Sequence, residues 1–213
     1  MSEKIFQEAF DAIVNGEAGR ATDAAKRGLD EGIDPLVLMD KGFIPGINKV
    51  GDLFETGRLF LPALIYSATA MEKATEIINA AIPTGKELVS AKVLIGTVEG
   101  DVHDIGKTIV VALFKANGFE VVDLGRDVPI TRFIDEAEKN GADIIGSSTL
   151  LTTTMVVQKE LEEELKKAGL RDKYKTIVGG APVTQRWADR IGADAYAQDA
   201  SDGVKKVKEL MGK

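Results

Sequence analysis

KVLIGTVEGDVHDIGKTIVVALFKANGFEVVDL, Lys92 to Leu124, decides the fold. A short apolar run, 92–97, leads into a polar loop, then into helical spacing over 105–117, then into a second apolar run at 120–124. Parallel strands cannot be joined by a tight turn, so two strands flanking one helix read as a parallel pair with its crossover. The pattern repeats toward the C-terminus, with strands expected at 143–147, 176–178 and, more weakly, 195–197, and helices near 130–140, 154–169, 183–191 and 201–211. Five such units in about 120 residues imply an α/β domain of flavodoxin-like (Rossmann-type) form, a five-stranded parallel sheet in the order 2-1-3-4-5.

Working back from Lys92, the period changes. From Ser2 to Ala81 apolar residues recur at helical spacing, as in Ile5, Phe6, Ala9, Phe10 and Ile13, and no strand-like alternation interrupts them. Breaks at Asn15-Gly16, Glu31-Gly32 and Thr56-Gly57, with a strong helix start at Asp34-Pro35, divide this half into four helices. They are expected at 3–15, 18–30, 35–55 and 60–81, with Pro45 bending or splitting the third. IPTGKELVS, 82–90, combines Pro, Gly and charge and reads as a linker. The expected organisation is a four-helix bundle over residues 1–88 followed by the flavodoxin-like domain over 89–213.

Composition narrows the chemistry. The 213 residues carry 27 basic and 34 acidic side chains, a net charge of −7 that opposes binding to nucleic acid or to an anionic membrane. No secretory signal is visible at the N-terminus and the apolar runs are too short to span a bilayer, so a cytoplasmic protein is expected. With no cysteine and one histidine, thiolate zinc sites, iron–sulfur clusters and multi-histidine metal sites are all excluded. A transition metal here has to bring most of its ligands with it.

In a sheet of this order, ligands sit beyond the carboxyl ends of the strands at the switch between the first and third. The loops that reach that crevice are VEGDVHDIG after the first strand, SSTLLTTT (147–154) after the third and GGAPVT (179–184) after the fourth. Gly106-Lys107-Thr108 resembles the end of a phosphate loop, but Asp101 stands where the leading glycine belongs, and Glu99, Asp101 and Asp104 repel phosphate. Lys107 and Thr108 then read as an ordinary first helical turn. A receiver domain needs an aspartate ending the third strand, where this chain has Gly146-Ser147-Ser148. An arbitrary lone histidine is usually a solvated side chain. His103, however, stands at the ligand end of the first strand, two residues after a carboxylate that can accept its second ring N–H and aim the imidazole at a metal. On spacing alone, Gly179-Gly180 also fits a simple strand-to-helix turn, Thr152 to Thr154 a helix N-cap, Leu150 a core position, and Phe60, Leu61 and Leu64 the core of the bundle.

Taken in order, Asp101-Val102-His103-Asp104-Ile105-Gly106, Ser148-Thr149-Leu150 and Gly179-Gly180 resemble the Asp-x-His-x-x-Gly, Ser-x-Leu and paired-glycine elements of cobalamin-binding domains. VGDLFETGRLFLPALIYSATAMEKA, Val50 to Ala74, is similar to the helical cap of methyl-carrying corrinoid proteins, so the likeness covers nearly the whole chain. The chain resembles the corrinoid proteins of the methylamine, methanol and quaternary-amine methyltransferase systems, and the cap and cobalamin-binding domains of methionine synthase. That resemblance implies a corrinoid cofactor, cycling between methylcobalamin and cob(I)alamin, with His103 as axial cobalt ligand and Asp101 and Ser148 as the relay behind it. It also implies contacts from Asp104 and Ile105, clearance for a nucleotide tail at Gly106, Gly179 and Gly180, and donors or lining from Ser148, Leu150, Thr152, Thr154, Ala197 and Ser201. Phe60 and Leu61 are expected to shield the cobalt. The implied role is a methyl carrier, not catalytic by itself, between a substrate-specific methyltransferase for a methylated amine, with trimethylamine or a quaternary amine preferred, and a second methyl-accepting methyltransferase, with a reductive activator as a further partner. The alternative is a cobalamin-dependent sensor without methyl transfer.

Overall fold

The computed structural model describes residues 2–82 and 91–212. The chain divides into two compact units, Met1–Ser90 with Ala112–Gly118, and Ala91–Val111 with Phe119–Lys213. Of the linker expected over 82–90 only Ile82 lies among the described residues, and the boundary expected at 88 lies outside them.

The first unit is helical, built from α1 (Ser2–Val14), α2 (Ala18–Asp30), α3 (Pro35–Leu38), a π-helical turn (Met39–Phe43), α4 (Ile44–Glu55) and α5 (Leu61–Ala81). The Asp34 side chain caps α3 by accepting from the Leu36 and Val37 amides at 2.9 and 3.1 Å, and Pro35 follows where no donor is needed. The single helix expected over 35–55 is broken by the π turn. Pro45 has no N–H for the carbonyl four residues back and its ring crowds that turn, so the backbone widens just before it. Small residues set the packing distances. Ala21, Ala24, Ala25 and Gly28 are the buried face of α2, and a Cβ at Gly46 would lie 3.0 Å from both Ile13 Cβ and the Phe10 carbonyl, which is how closely α4 approaches α1. Larger side chains, Ile13, Leu38, Phe43, Leu64 and Ile78, are fully buried between the helices. Phe60 departs from the expected core. It is 76% exposed, because it is the extended residue preceding α5 and falls outside the helical phase that buries Leu64.

The second unit runs β1 (Lys92–Thr97), α6 (Ile105–Ala116), β2 (Glu120–Asp123), α7 (Ile130–Asn140), β3 (Ile144–Ser148), α8 (Met155–Lys167), β4 (Lys175–Gly179), α9 (Gln185–Ile191), β5 (Ala195–Ala197) and α10 (Ala200–Leu210). The five strands are parallel in the order β2-β1-β3-β4-β5, as the sequence implies. β1 lies inside the sheet and is buried from Val93 to Thr97, whereas the edge strand β2 is only half buried. Leu94 and Ile145 pack under Phe133 of α7 and Leu161 and Leu165 of α8.

An ionic cluster holds the amino-terminal ends of β4 and β5. Arg171 stands 2.6 Å from Glu162 Oε2 and 2.9 Å from Asp194 Oδ2, and donates to the Gly192 and Tyr174 carbonyls at 2.7 and 3.2 Å. The Nε–H is not aligned on Glu162 Oε2, so that contact is charge pairing rather than a formed hydrogen bond. Burial pushes the Glu162 carboxyl above the usual range, against the opposing pull of Thr176 and Arg171. A carboxyl raised in the fold favours the folded state below its ordinary value of about 4.3, and that contribution is lost as pH rises through the folded value. Arg171→Met strands the Glu162 charge and is expected to cost about 3–5 kcal/mol near neutrality. Urea denaturation will read the deficit as smaller at about pH 4 than at about pH 7; an equal deficit at both would remove Glu162 from the explanation.

At the other end of the sheet, the Thr149 amide donates to the Gly179 carbonyl at 3.2 Å. Gly180 follows with φ +125°, and a Cβ there would overlap the Thr149 carbonyl. Gly180→Ala combines backbone strain with this overlap and is expected to lose about 3 kcal/mol or more. A denaturation midpoint within experimental error of the parent chain would contradict the close approach.

Candidate functional site

The loops after β1, β3 and β4 meet through one buried carboxylate. Asp101 is 0% exposed. Its Oδ1 accepts from the His103 amide at 3.0 Å and pairs with His103 Nδ1 at 2.7 Å. Its Oδ2 accepts from the Leu150 and Leu151 amides at 2.7 and 3.2 Å and lies 3.1 Å from the hydroxyls of Thr149 and Thr154. Burial pushes the carboxyl up, but the Leu150 and His103 amides, the imidazole and the Leu151 amide together outweigh it and hold it far below the usual carboxylate range. Stability linked to this group is therefore present above the ordinary carboxylate value and lost as pH falls.

An anion at Nδ1 favours a proton on that nitrogen, and Nε2 is the ring nitrogen turned away from Asp101. Thr97 fixes the backbone of the same residue, its hydroxyl donating to the His103 carbonyl at 3.0 Å. The ring is nonetheless 47% exposed, and no hydrogen bond engages Nε2 among the described residues. Val102, Ile105, Leu150 and Leu151 stand beside it on the same loops, 57, 74, 46 and 40% exposed. An oriented imidazole amid exposed apolar side chains fits the flat face of a macrocycle that brings its own equatorial ligands. Among the described residues no group of three His, Cys, Asp or Glu gathers to hold a metal ion.

Several expected residues take up different positions. Ser148 is not behind Asp101. It ends β3 in register with Thr97 and Gly179, one residue short of the turn, and its carbonyl accepts from the Val98 amide at 3.0 Å. The hydroxyls that reach Asp101 are those of Thr154 and Thr149 rather than of Ser148, because Asp101 reaches past the strand into the turn. Thr154 does occupy the N-cap position of α8, but its side chain makes no capping bond. Leu150 is exposed rather than core. The Asp104 carbonyl accepts from Thr108 at 2.8 Å and starts α6, and a Cβ at Gly106 would meet open space. Thr152 is exposed, and Ala197 and Ser201 are half-buried at the end of β5 and the start of α10. A Cβ at Gly179 would stand 3.3 Å from the Ala197 carbonyl. Phe60 and Leu61 belong to the helical unit. Lys107 is committed elsewhere, 3% exposed with Nζ 2.5 Å from Asp123, which removes it from any phosphate-loop role.

Three residues that shape this cluster escape a reading by motif: Thr97, Thr149 and Gln158. The Gln158 amide donates to the Ser147 and Gly179 carbonyls at 3.0 and 3.3 Å and accepts from Trp187 Nε1 at 3.1 Å, fixing the spacing of β3 and β4. Its one signal in the sequence is its place one helical turn after Thr154.

The matched families agree with this geometry. Residues 91–206 match one B12 binding domain and residues 5–79 another. The trimethylamine corrinoid protein 1 of Methanosarcina acetivorans is 48% identical over 98% of both chains, and the dimethylamine corrinoid protein 2 of the same organism is 48% identical over 98% of this chain and 97% of its own. Among solved structures, the methanol:cobalamin methyltransferase complex MtaBC of Methanosarcina barkeri gives a TM-score of 0.81 at 32% identity, covering 99% of this chain and 81% of the other. A cobalamin-binding protein of Desulfitobacterium hafniense gives 0.72 at 32% identity over 95 and 96%. The chain thus belongs, along essentially its whole length, to the B12-binding corrinoid proteins.

Proposed function

We propose that this chain is the methyl-carrying corrinoid protein of a methylated-amine methyltransferase system. The observation that carries the reading is the Asp101–His103 pair, which holds the ring by Nδ1 and leaves Nε2 as the nitrogen available to a metal. When bound, the corrinoid supplies a cobalt centre that takes up a methyl group from one protein and yields it to another. His103 would hold that cobalt axially through Nε2. Asp101 fixes the ring and keeps the proton on Nδ1, with Thr154 behind it. Val102, Ile105 and Leu150 offer apolar surface to the ring system, and Asp104 helps set the loop. Open space at Gly106 and the bare backbone at Gly179 and Gly180 give clearance for a nucleotide tail, with Ser148, Thr152, Ala197 and Ser201 along its course. Phe60 and Leu61 are assigned to shielding the cobalt from water.

The substrate class follows the relatives' names: trimethylamine and dimethylamine, each at 48% identity. A substrate-specific methyltransferase is the first partner, supported by the MtaBC likeness. A second methyl-accepting methyltransferase and a reductive activator complete the system, which we assign to the cytoplasm. No helix among the described residues is long and apolar enough to cross a membrane. No observation favours the sensor alternative.

Reconstitution with hydroxocobalamin is expected to give a visible spectrum with histidine as axial ligand, and His103→Ala to abolish that signature while leaving the fold intact. Identical spectra for both chains would exclude His103. With the loaded chain reduced chemically to cob(I)alamin, the matching purified methyltransferase is expected to transfer a methyl group from trimethylamine or dimethylamine to the cobalt held by this chain, releasing dimethylamine or monomethylamine. Loaded protein that stays unmethylated with either enzyme would leave the carrier role without support.

A further inference from the structure

The two threonines behind Asp101 pose a counting problem. Thr149 is 1% and Thr154 8% exposed, and their hydroxyls are 2.6 Å apart. Each lies 3.1 Å from Asp101 Oδ2, and each also lies within reach of the Leu151 carbonyl, at 3.2 and 3.0 Å. A hydroxyl has one proton. At 2.6 Å one threonine must donate to the other, since two lone pairs facing each other at that distance repel. The acceptor of that bond then holds the only remaining proton, and the anionic Oδ2 is a stronger acceptor than a neutral carbonyl. The arrangement Thr149→Thr154→Asp101 and its mirror Thr154→Thr149→Asp101 have the same heavy-atom geometry. Sequence resemblance assigned only one hydroxyl to this place.

We propose that Thr149 is a positioning residue interchangeable with Thr154: either hydroxyl alone can deliver the proton to Asp101 Oδ2, so the orientation of the His103 ring survives the loss of one. The inference deepens the axial-ligand reading and rests on it for its meaning, but its primary test needs no cofactor. His103 is the only histidine in the chain, so its ring nitrogens give one unambiguous set of ¹⁵N signals. In the cofactor-free chain at a fixed pH, those signals report how the proton divides between Nδ1 and Nε2, and the Asp101 contact at Nδ1 is expected to favour the Nδ1–H form.

Thr149→Val and Thr154→Val, which keep shape and lose the hydroxyl, are each expected to change the ratio of the two ring tautomers by less than about twofold. The double variant removes the last hydroxyl bond to a buried carboxylate and is expected to shift the ratio by about tenfold. Thr149→Ser in the Thr154→Val background keeps a hydroxyl and should behave as Thr154→Val alone, which a packing effect would not. After loading with hydroxocobalamin, the fraction showing the histidine-ligated spectrum should follow the same order. Thr154→Val matching the double variant, additive effects of the two single changes, or a double variant with unchanged ring signals would each overturn the inference. If the double variant fails to fold, the single variants decide: equal small shifts support interchangeability, and a dominant effect of Thr154→Val refutes it. Failure of the axial-ligand reading looks different, as His103→Ala would then leave the loaded spectrum unchanged whatever the threonine variants do.

Discussion

Asp101 is a buried carboxylate that no lysine or arginine among the described residues pairs with. Such a charge persists only if enough dipoles converge on it, and here they come from two loops about 50 residues apart in sequence: amides of 150 and 151 and hydroxyls of 149 and 154 on one side, the amide and ring of His103 on the other. Hydrogen bonds to a charged group are worth about 1.5–3 kcal/mol each. The loop after β1 and the loop after β3 are therefore held to each other by electrostatics rather than by apolar packing, and that leaves the apolar side chains of both loops free to face outward.

The sheet makes this convergence possible. Parallel order β2-β1-β3-β4-β5 puts β1 and β3 side by side with their carboxyl ends together, and the pairing of Thr97 with Ser148 brings the two loops out at the same level. Gln158 and the Gly180–Thr149 approach then set the third loop against the second. Arg171 closes the opposite end of β4 and β5, so the strand ends away from the site are tied by ions and those at the site by neutral dipoles around one charge.

Periodicity reads the architecture well because it is a property of many residues at once. The helical and strand periods place nine helices and five strands within a residue or two of where they lie among the described residues, apart from the helix expected over 35–55, which is split at the π turn where Pro45 warns of it. Individual side chains are harder. The spacing of the loop motif singles out Asp101 and His103, which the structure does bring into contact, since a single local segment carries them. Ser148 was the wrong hydroxyl because a motif cannot say whether a strand ends before or after the residue, and one step along a strand turns a side chain to the opposite face. Phe60 was misplaced for a related reason: one residue outside the helix, helical phase no longer applies. Thr149 and Gln158 act through contacts with distant backbone, which no local pattern encodes.

Thr154 also illustrates a compromise. It stands at the N-cap of α8, where a hydroxyl ordinarily accepts from the amides of the first turn, yet it spends its side chain on Asp101. A helix start left uncapped forgoes about 1 kcal/mol. Residue types that would cap α8 better, such as aspartate, would bring a second negative charge against the first. The side chain at 154 thus serves the carboxylate rather than the helix, and the stability that α8 forgoes at its start has to come from elsewhere in the chain.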